Sequence, residues 1–237
     1  MGKSIVFVFL IFHVGLASGS VPGSGTPLRP VRVSSHPNID GKLDDTIWQE
    51  CPTVTGFKTF APDFGRDGSG KTIGYMAYDS ENLYFAFRCF DREPEKIKSV
   101  VSSRDNVGSD DWVCINLDSF NDQQSLYAFY VNPDGIQMDS RYAAGREDFS
   151  VDVVWYSAGQ MTPDGYTVEM QIPLRSIRYS ETNPVQMSIF FERYITRLSE
   201  HSSYPELDPA KGMNFLPPMP PLLYPDVKHF SLSEILP

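Results

Sequence analysis

The chain has 237 residues, 41% hydrophobic and 13% aromatic, which is enough apolar surface to bury a sizeable core and to exclude global disorder. Its net charge of −10 argues against nucleic acid and anionic membrane surfaces as partners, since their phosphates would be repelled, and leaves neutral polymers and cations as better ones. Cys51, Cys89 and Cys114 are odd in number and widely spaced, which excludes a disulfide scaffold.

Residues 1–19 join Lys3, an apolar run and the small residues Ala17 and Gly19, the pattern of an export signal. The run is about a dozen residues, short of the roughly 20 that a spanning helix needs. Residues 20–36 are rich in Ser, Gly and Pro and read as a flexible leader. One folded domain is expected over 37–200.

Within it, short runs with two-residue alternation recur at 72–78, 83–90, 112–117, 126–131, 136–142, 151–156, 166–172 and 186–195, which predicts eight or more strands. Asp79-Ser-Glu-Asn82, Asn132-Pro-Asp-Gly135 and Pro163-Asp-Gly165 supply the turns of antiparallel hairpins. Only 94–101 reads as helical. Val113, Ile115 and Leu117 share one face and are expected in the core, with Trp112, Cys114 and Asn116 opposite. Val168, Met170 and Ile172 point inward by the same logic, and Thr167, Glu169 and Gln171 outward unless a further layer covers them. Cys89 and Cys114 read as buried small hydrophobes. The expectation is an all-β fold, a two-sheet antiparallel β-sandwich with one short helix. Residues 201–237 are Pro-rich, with an extended spacer at 217–221 and a last strand at 227–232.

Gly65-Arg-Asp-Gly-Ser-Gly-Lys-Thr72 matches the phosphate-binding loop letter for letter, but a strand-like run follows where that loop needs a helix, so no nucleotide partner is expected. His36, His201 and His229 lie far apart in loop-like or terminal segments, without zinc spacing. No nucleophile motif is present, so no catalytic residue is assigned. A pair of glycosidase carboxylates stays open, because thirty Asp and Glu residues make such pairs unavoidable by chance. Asp110, Asp111 and Asp118 crowd oxygen ligands around the two ends of one strand and are the candidate calcium ligands, against the alternative of turn and cap residues. Tryptophan offers a flat face for sugar stacking. Trp48 reads as an anchor closing the core, while Trp112 and Trp155 are each either packed between layers or exposed as stacking platforms.

Ile39-Asp-Gly-Lys-Leu-Asp-Asp-Thr-Ile-Trp48 resembles the opening of the carbohydrate-binding module family 9-like domains, which share a DOMON-like sandwich. Further matches follow at 82–91, Arg104-Asp105, Asp110-Asp-Trp-Val-Cys-Ile-Asn-Leu-Asp118, Asn132–Gly135 and Tyr166-Thr-Val-Glu-Met-Gln-Ile-Pro173. The resemblance implies a DOMON-like or jelly-roll-like sandwich that binds an oligo- or polysaccharide without turnover, linked to carbohydrate catabolism or uptake. It also implies a tryptophan pair around the sugar, for which Trp112 and Trp155 are the candidates, and structural calcium. Arg141 and Asn116 are the candidate polar contacts. The variant it is most similar to stands N-terminal to an outer-membrane β-barrel, and 230–237 resembles the segment leading into that barrel. Location in the periplasm, at the outer membrane or outside the cell is expected accordingly. The alternatives are a structural domain packed on the barrel, a hydrolase of O-glycosyl bonds or an accessory module of one and, more remotely, a haem-binding relative.

Overall fold

The computed structural model describes residues 27–210 and 219–230. The export signal, the first part of the leader (20–26), part of the Pro-rich spacer and the end of the expected last strand lie outside the described residues. The described elements run β1 (Val31–Arg32), α1 (Thr46–Glu50), β2 (Thr53–Val54), β3 (Lys58–Ala61), β4 (Thr72–Tyr78), β5 (Asn82–Phe90), β6 (Trp112–Asp118), β7 (Ser125–Val131), β8 (Gln137–Ala143), β9 (Arg146–Asp148), β10 (Tyr156–Thr162), β11 (Gly165–Pro173), β12 (Val185–Ile195), β13 (Glu200–Tyr204) and β14 (Pro221–Tyr224). Seven of the eight expected runs are strands at nearly their expected bounds.

Two sheets result. One has the order β1-β4-β5-β11-β10 with β2 on β4; the other has the order β3-β13-β12-β6-β7-β8-β9 with β14 on β12. Every strand pairing is antiparallel except β1 with β4. The fold is therefore the antiparallel β-sandwich that the alternation predicts. Its inter-sheet core takes Val113, Ile115 and Leu117 from one sheet and Val168, Met170 and Ile172 from the other, all fully buried. The hairpin turns form as their chemistry demands. The Asp79 carboxylate accepts the N–H groups of Glu81 and Asn82 at 2.6 and 2.8 Å, and Asn132 Oδ1 accepts those of Asp134 and Ile136 at 3.1 and 2.8 Å. Gly135 takes φ 82°, where only glycine sits without strain. Cys51, Cys89 and Cys114 are free and buried, Cys89 and Cys114 inside their strands as expected.

Four expectations are corrected. Residues 151–155 carry no ladder, because side chains take their backbone groups instead: Asp139 accepts the Val153 N–H at 2.7 Å, Arg104 donates to the Val153 carbonyl at 2.8 Å, and Gln137 donates to that of Trp155 at 3.0 Å. The segment expected as a helix at 94–101 shrinks to one 3-10 turn, Pro94–Lys96. Beyond it the chain is held extended, with Lys98 accepting from the Asp111 N–H at 2.8 Å and Val100 donating to the Asp110 carboxylate at 3.2 Å. The helix that does form is α1, around Trp48. The last described strand is Pro221–Tyr224 on β12, not 227–232; its leading proline opposes Ser188 at the end of the paired stretch.

Thr167 and Glu169 are buried, because residues 38–51 fold over the outer face of the first sheet as the further layer that the sequence left open. Trp48 anchors it there, packed with Ala77, Tyr84 and Ala86 rather than in the core between the sheets. The Glu169 carboxylate accepts Trp48 Nε1–H at 2.6 Å, the Gly41 N–H at 2.7 Å and the Asp40 N–H at 3.0 Å, while Thr167 Oγ1 donates to the Gly41 carbonyl at 2.6 Å. Gly41 has φ 86°, and a Cβ on it would stand 2.8 Å from the Gly159 carbonyl carbon, so this position requires glycine.

Burial pushes the Glu169 carboxyl up from 4.5 to about 7, against the downward pull of its three donors. An acid whose pKa is raised by folding holds its proton more tightly in the fold, so its contribution to stability is full below pH 4.5 and is lost as pH rises through about 7. Between those limits the melting temperature of Glu169→Gln should fall less steeply than that of the wild-type protein. Thermal unfolding at a series of pH values checks this, and parallel curves would remove Glu169 as the source.

Candidate functional site

In the second sheet, residues at alternate positions of β6, β7 and β12 face away from the core and line a groove of about 620 Å³. Trp112 is 7% exposed and centres an aromatic cluster. Tyr130 stands edge-on to it at 5.1 Å, Tyr194 lies at 5.3 Å tilted by 37°, and His201 is edge-on at 5.6 Å. His201 also packs against Tyr194 at 4.3 Å and Phe60 at 5.4 Å. Leu126 and Phe190 extend the apolar floor, and Phe149, 49% exposed, stands at the rim 6.4 Å from Tyr130.

The polar groups fall into two sets. Glu192 accepts from Asn116 Nδ2 at 3.5 Å and meets His201 Nδ1 at 3.1 Å. Glu147 Oε1 accepts the hydroxyls of Tyr130 at 2.7 Å and Ser140 at 2.6 Å. Burial first, with the nearby Glu192 and Glu147 carboxylates adding to it, pushes the Tyr130 hydroxyl well above its ordinary range. Tyr130 is therefore a hydrogen-bond donor locked onto Glu147 at any physiological pH. An apolar floor with a few fixed polar groups at its edges is the composition of a small-molecule site.

The sequence candidates separate. Trp112 and Asn116 lie in this groove. Trp155 does not: it is 3% exposed on the core side, edge-on to Phe129 at 5.2 Å, with Nε1–H directed at Asp139 at 3.3 Å. Arg141 faces away from the groove as well, since it opposes Tyr127 across the β7–β8 ladder and lays its guanidinium over that ring at 5.5 Å. Alternation decides the case of Arg141, because a side chain one residue out of phase emerges on the opposite face; Trp155 lies outside any ladder and is held on the core side by its bonds to Asp139 and Gln137.

Asp110, Asp111 and Asp118 do not converge. Asp111 precedes β6 and Asp118 ends it, about 23 Å away at roughly 3.3 Å per residue. Asp118 accepts the N–H groups of Phe120, Asp122 and Gln123 at 3.2, 3.3 and 2.7 Å, a turn-capping role; Asp110 accepts Asn132 Nδ2–H at 2.9 Å, and Asp111 the Thr196 N–H at 3.0 Å. Among the described residues no group of three His, Cys, Asp or Glu side chains is placed to hold a metal ion. In the phosphate-loop match, the carbonyls of Gly70 and Lys71 take hydrogen bonds from the buried Arg193 at 3.3 and 3.4 Å, and strand β4 follows. Carbonyl groups gathered on a cation are the reverse of the N–H groups that a phosphate needs.

Sequence reasoning misses Tyr130, Glu147, Phe149, Glu192, Tyr194 and His201. His201 is not in a loop but on β13, opposite Tyr194. The signal present was the shared alternation of Phe190, Glu192 and Tyr194; what was absent was the register that sets this row beside Trp112.

A profile described as "Carbohydrate family 9 binding domain-like" matches residues 39–198. The chain belongs to that family. No curated protein sequence matches it significantly. Among solved structures it is similar to a candidate carbohydrate-binding protein from Bacteroides uniformis, with TM-score 0.67 and 13% identity over 85% of this chain and 100% of that one. It is also similar to a family 9 carbohydrate-binding module from Caldicellulosiruptor kristjanssonii, solved with cellotriose (TM-score 0.57, 19% identity, 88% of this chain and 98% of that one) and with glucose (TM-score 0.56, 17% identity, 87% and 98%). At these identities the likeness is one of fold.

Trp155 is thus a framework residue. Trp155→Ala should lower the unfolding free energy by about 3–5 kcal/mol by opening a core cavity and leaving Asp139 short of a donor. Denaturant unfolding measures the loss.

Proposed function

We propose that this domain is a saccharide-binding module and that the groove around Trp112 is its site. One observation carries the reading: in a member of a carbohydrate-binding family, one sheet turns an aromatic floor outward and borders it with Asn116, Glu192 and Glu147. Aromatic faces offer apolar stacking to sugar C–H surfaces, and the carboxylates and amide offer acceptors and donors to hydroxyls. The cellotriose and glucose complexes of a protein with this fold support a glucose-type ligand. The groove holds a sugar by contact alone, with modest affinity and no turnover. Export from the cytoplasm, on the pattern of residues 1–19, and service to a carbohydrate uptake or degradation system belong to the same proposal, as does attachment to an outer-membrane barrel.

Titration calorimetry with cellotriose tests it. Trp112→Ala should weaken binding about tenfold or more, the loss of one stacking platform worth roughly 1–2 kcal/mol, with Trp112→Phe in between. Absence of heat and of any ligand-induced rise in melting temperature across a panel of neutral and charged oligosaccharides would sink the reading.

A further inference from the structure

The charge of the groove points to a narrower ligand class than its aromatic floor does. Its described lining holds two carboxylates, Glu147 and Glu192, and neither lysine nor arginine; His201, held by Glu192, is the one basic side chain. The carboxylates come from opposite sides of the aromatic floor, Glu192 from β12 and Glu147 from β9 across the intervening β6, β7 and β8. Glu147 accepts the hydroxyl of Tyr130, and Glu192 stands on the strand that carries Tyr194, so each carboxylate borders a ring of the floor. Glu192 is already braced by Asn116 and His201, and Glu147 by Tyr130 and Ser140, so the two negative charges are fixed in place before any ligand arrives.

A ring of electron-rich faces closed by fixed carboxylates attracts a cation twice, through the ring quadrupoles and through direct charge. A neutral sugar would use neither attraction. The chain's net charge of −10 adds a long-range field of the same sign. We propose that the groove selects a saccharide bearing protonated amines, a glucosamine oligomer whose separate ammonium groups are set against Glu147 and Glu192 while a ring stacks in the aromatic cluster. This rests on the saccharide-binding reading of the same groove and adds the charge of the ligand to it.

The test compares three β-1,4-linked trimers by calorimetry at about pH 6, where an amine of ordinary pKa near 7.7 is protonated. Cellotriose, the glucosamine trimer and its N-acetylated form share backbone geometry and differ at C2. The glucosamine trimer should bind about tenfold more tightly than either neutral trimer at low ionic strength, and the ratio should shrink as salt screens the rim carboxylates. In the Glu147→Gln/Glu192→Gln double variant the ratio should fall to near one. A ratio near one in the wild-type protein overturns the amine preference and leaves a neutral-sugar module. A ratio that persists in the double variant overturns it too, by assigning the effect to the surface field. If all three trimers weaken equally in the double variant, the carboxylates serve hydroxyls common to them, and the proposal also falls. Should no trimer bind the wild-type protein, the amine preference falls with the glucose-type ligand, and the wider oligosaccharide panel then decides the saccharide reading itself.

Discussion

The register of β6 between β12 and β7 is the constraint on which the rest of the molecule depends. Ile115 opposes Phe191 on one side and Phe129 on the other, all facing the inter-sheet core, and this pairing puts Trp112 opposite Tyr194 on the other face. Core and groove are therefore two readings of one ladder. A slip of one residue would expose Ile115 and Leu117 and bury Trp112 and Asn116 between the sheets, losing both at once. The tight Asn132–Gly135 turn sets the neighbouring register of β7 with β8, because Asn132 Oδ1 holds the turn, where a Cβ at Gly135 would strike the Gly159 backbone nitrogen at 2.8 Å.

Buried polar groups tie the strands and loops around that ladder. Arg193 lies on the core face of β12, wholly buried, and one of its nitrogens donates to the carbonyls of Gly70, Lys71 and Phe90 and to Thr72 Oγ1. That gathers the loop before β4 and the end of β5 onto the opposite sheet. Its charge is met by the Tyr166 ring at 5.6 Å and by Asp91 at 3.9 Å, which in turn pairs in bidentate fashion with Arg197 at 2.7 and 2.9 Å. Glu169 does the corresponding work on the outer face of the first sheet, drawing in the segment of Gly41 and Trp48. One face of each sheet is thus committed to the core, the outer face of the first is covered by its own chain, and the outer face of the second carries the groove.

That asymmetry gives the motifs of the family their physical meaning. The Ile39–Trp48 stretch and Glu169 are conspicuous in the sequence yet belong to the cover of the first sheet, away from the groove. Arg104 and Asp139 meet in an ion pair whose acid also receives Trp155 Nε1–H and the Val153 N–H, so they stand in for a missing strand pairing. The groove is built from less conspicuous residues: a tyrosine on each of three strands, a histidine on a fourth and two glutamates.

The sandwich, most of its strands and the inward rows of β6 and β11 are legible in the sequence, because period-two alternation is a local property and a half-buried strand must display it. The sequence also carried the family, through motifs whose residues lie close together in the chain. It did not determine the site. Trp112 and Trp155 look alike in sequence, each at the edge of an apolar run, and only the fold sends one outward and the other against Phe129. His201 and Glu192 are nine residues apart, Trp112 and Tyr130 eighteen, and all four meet because antiparallel ladders bring distant strands into register. The groove is an assembly of strand neighbours, and strand neighbours are chosen by the packing of the whole core rather than by any segment's own preferences.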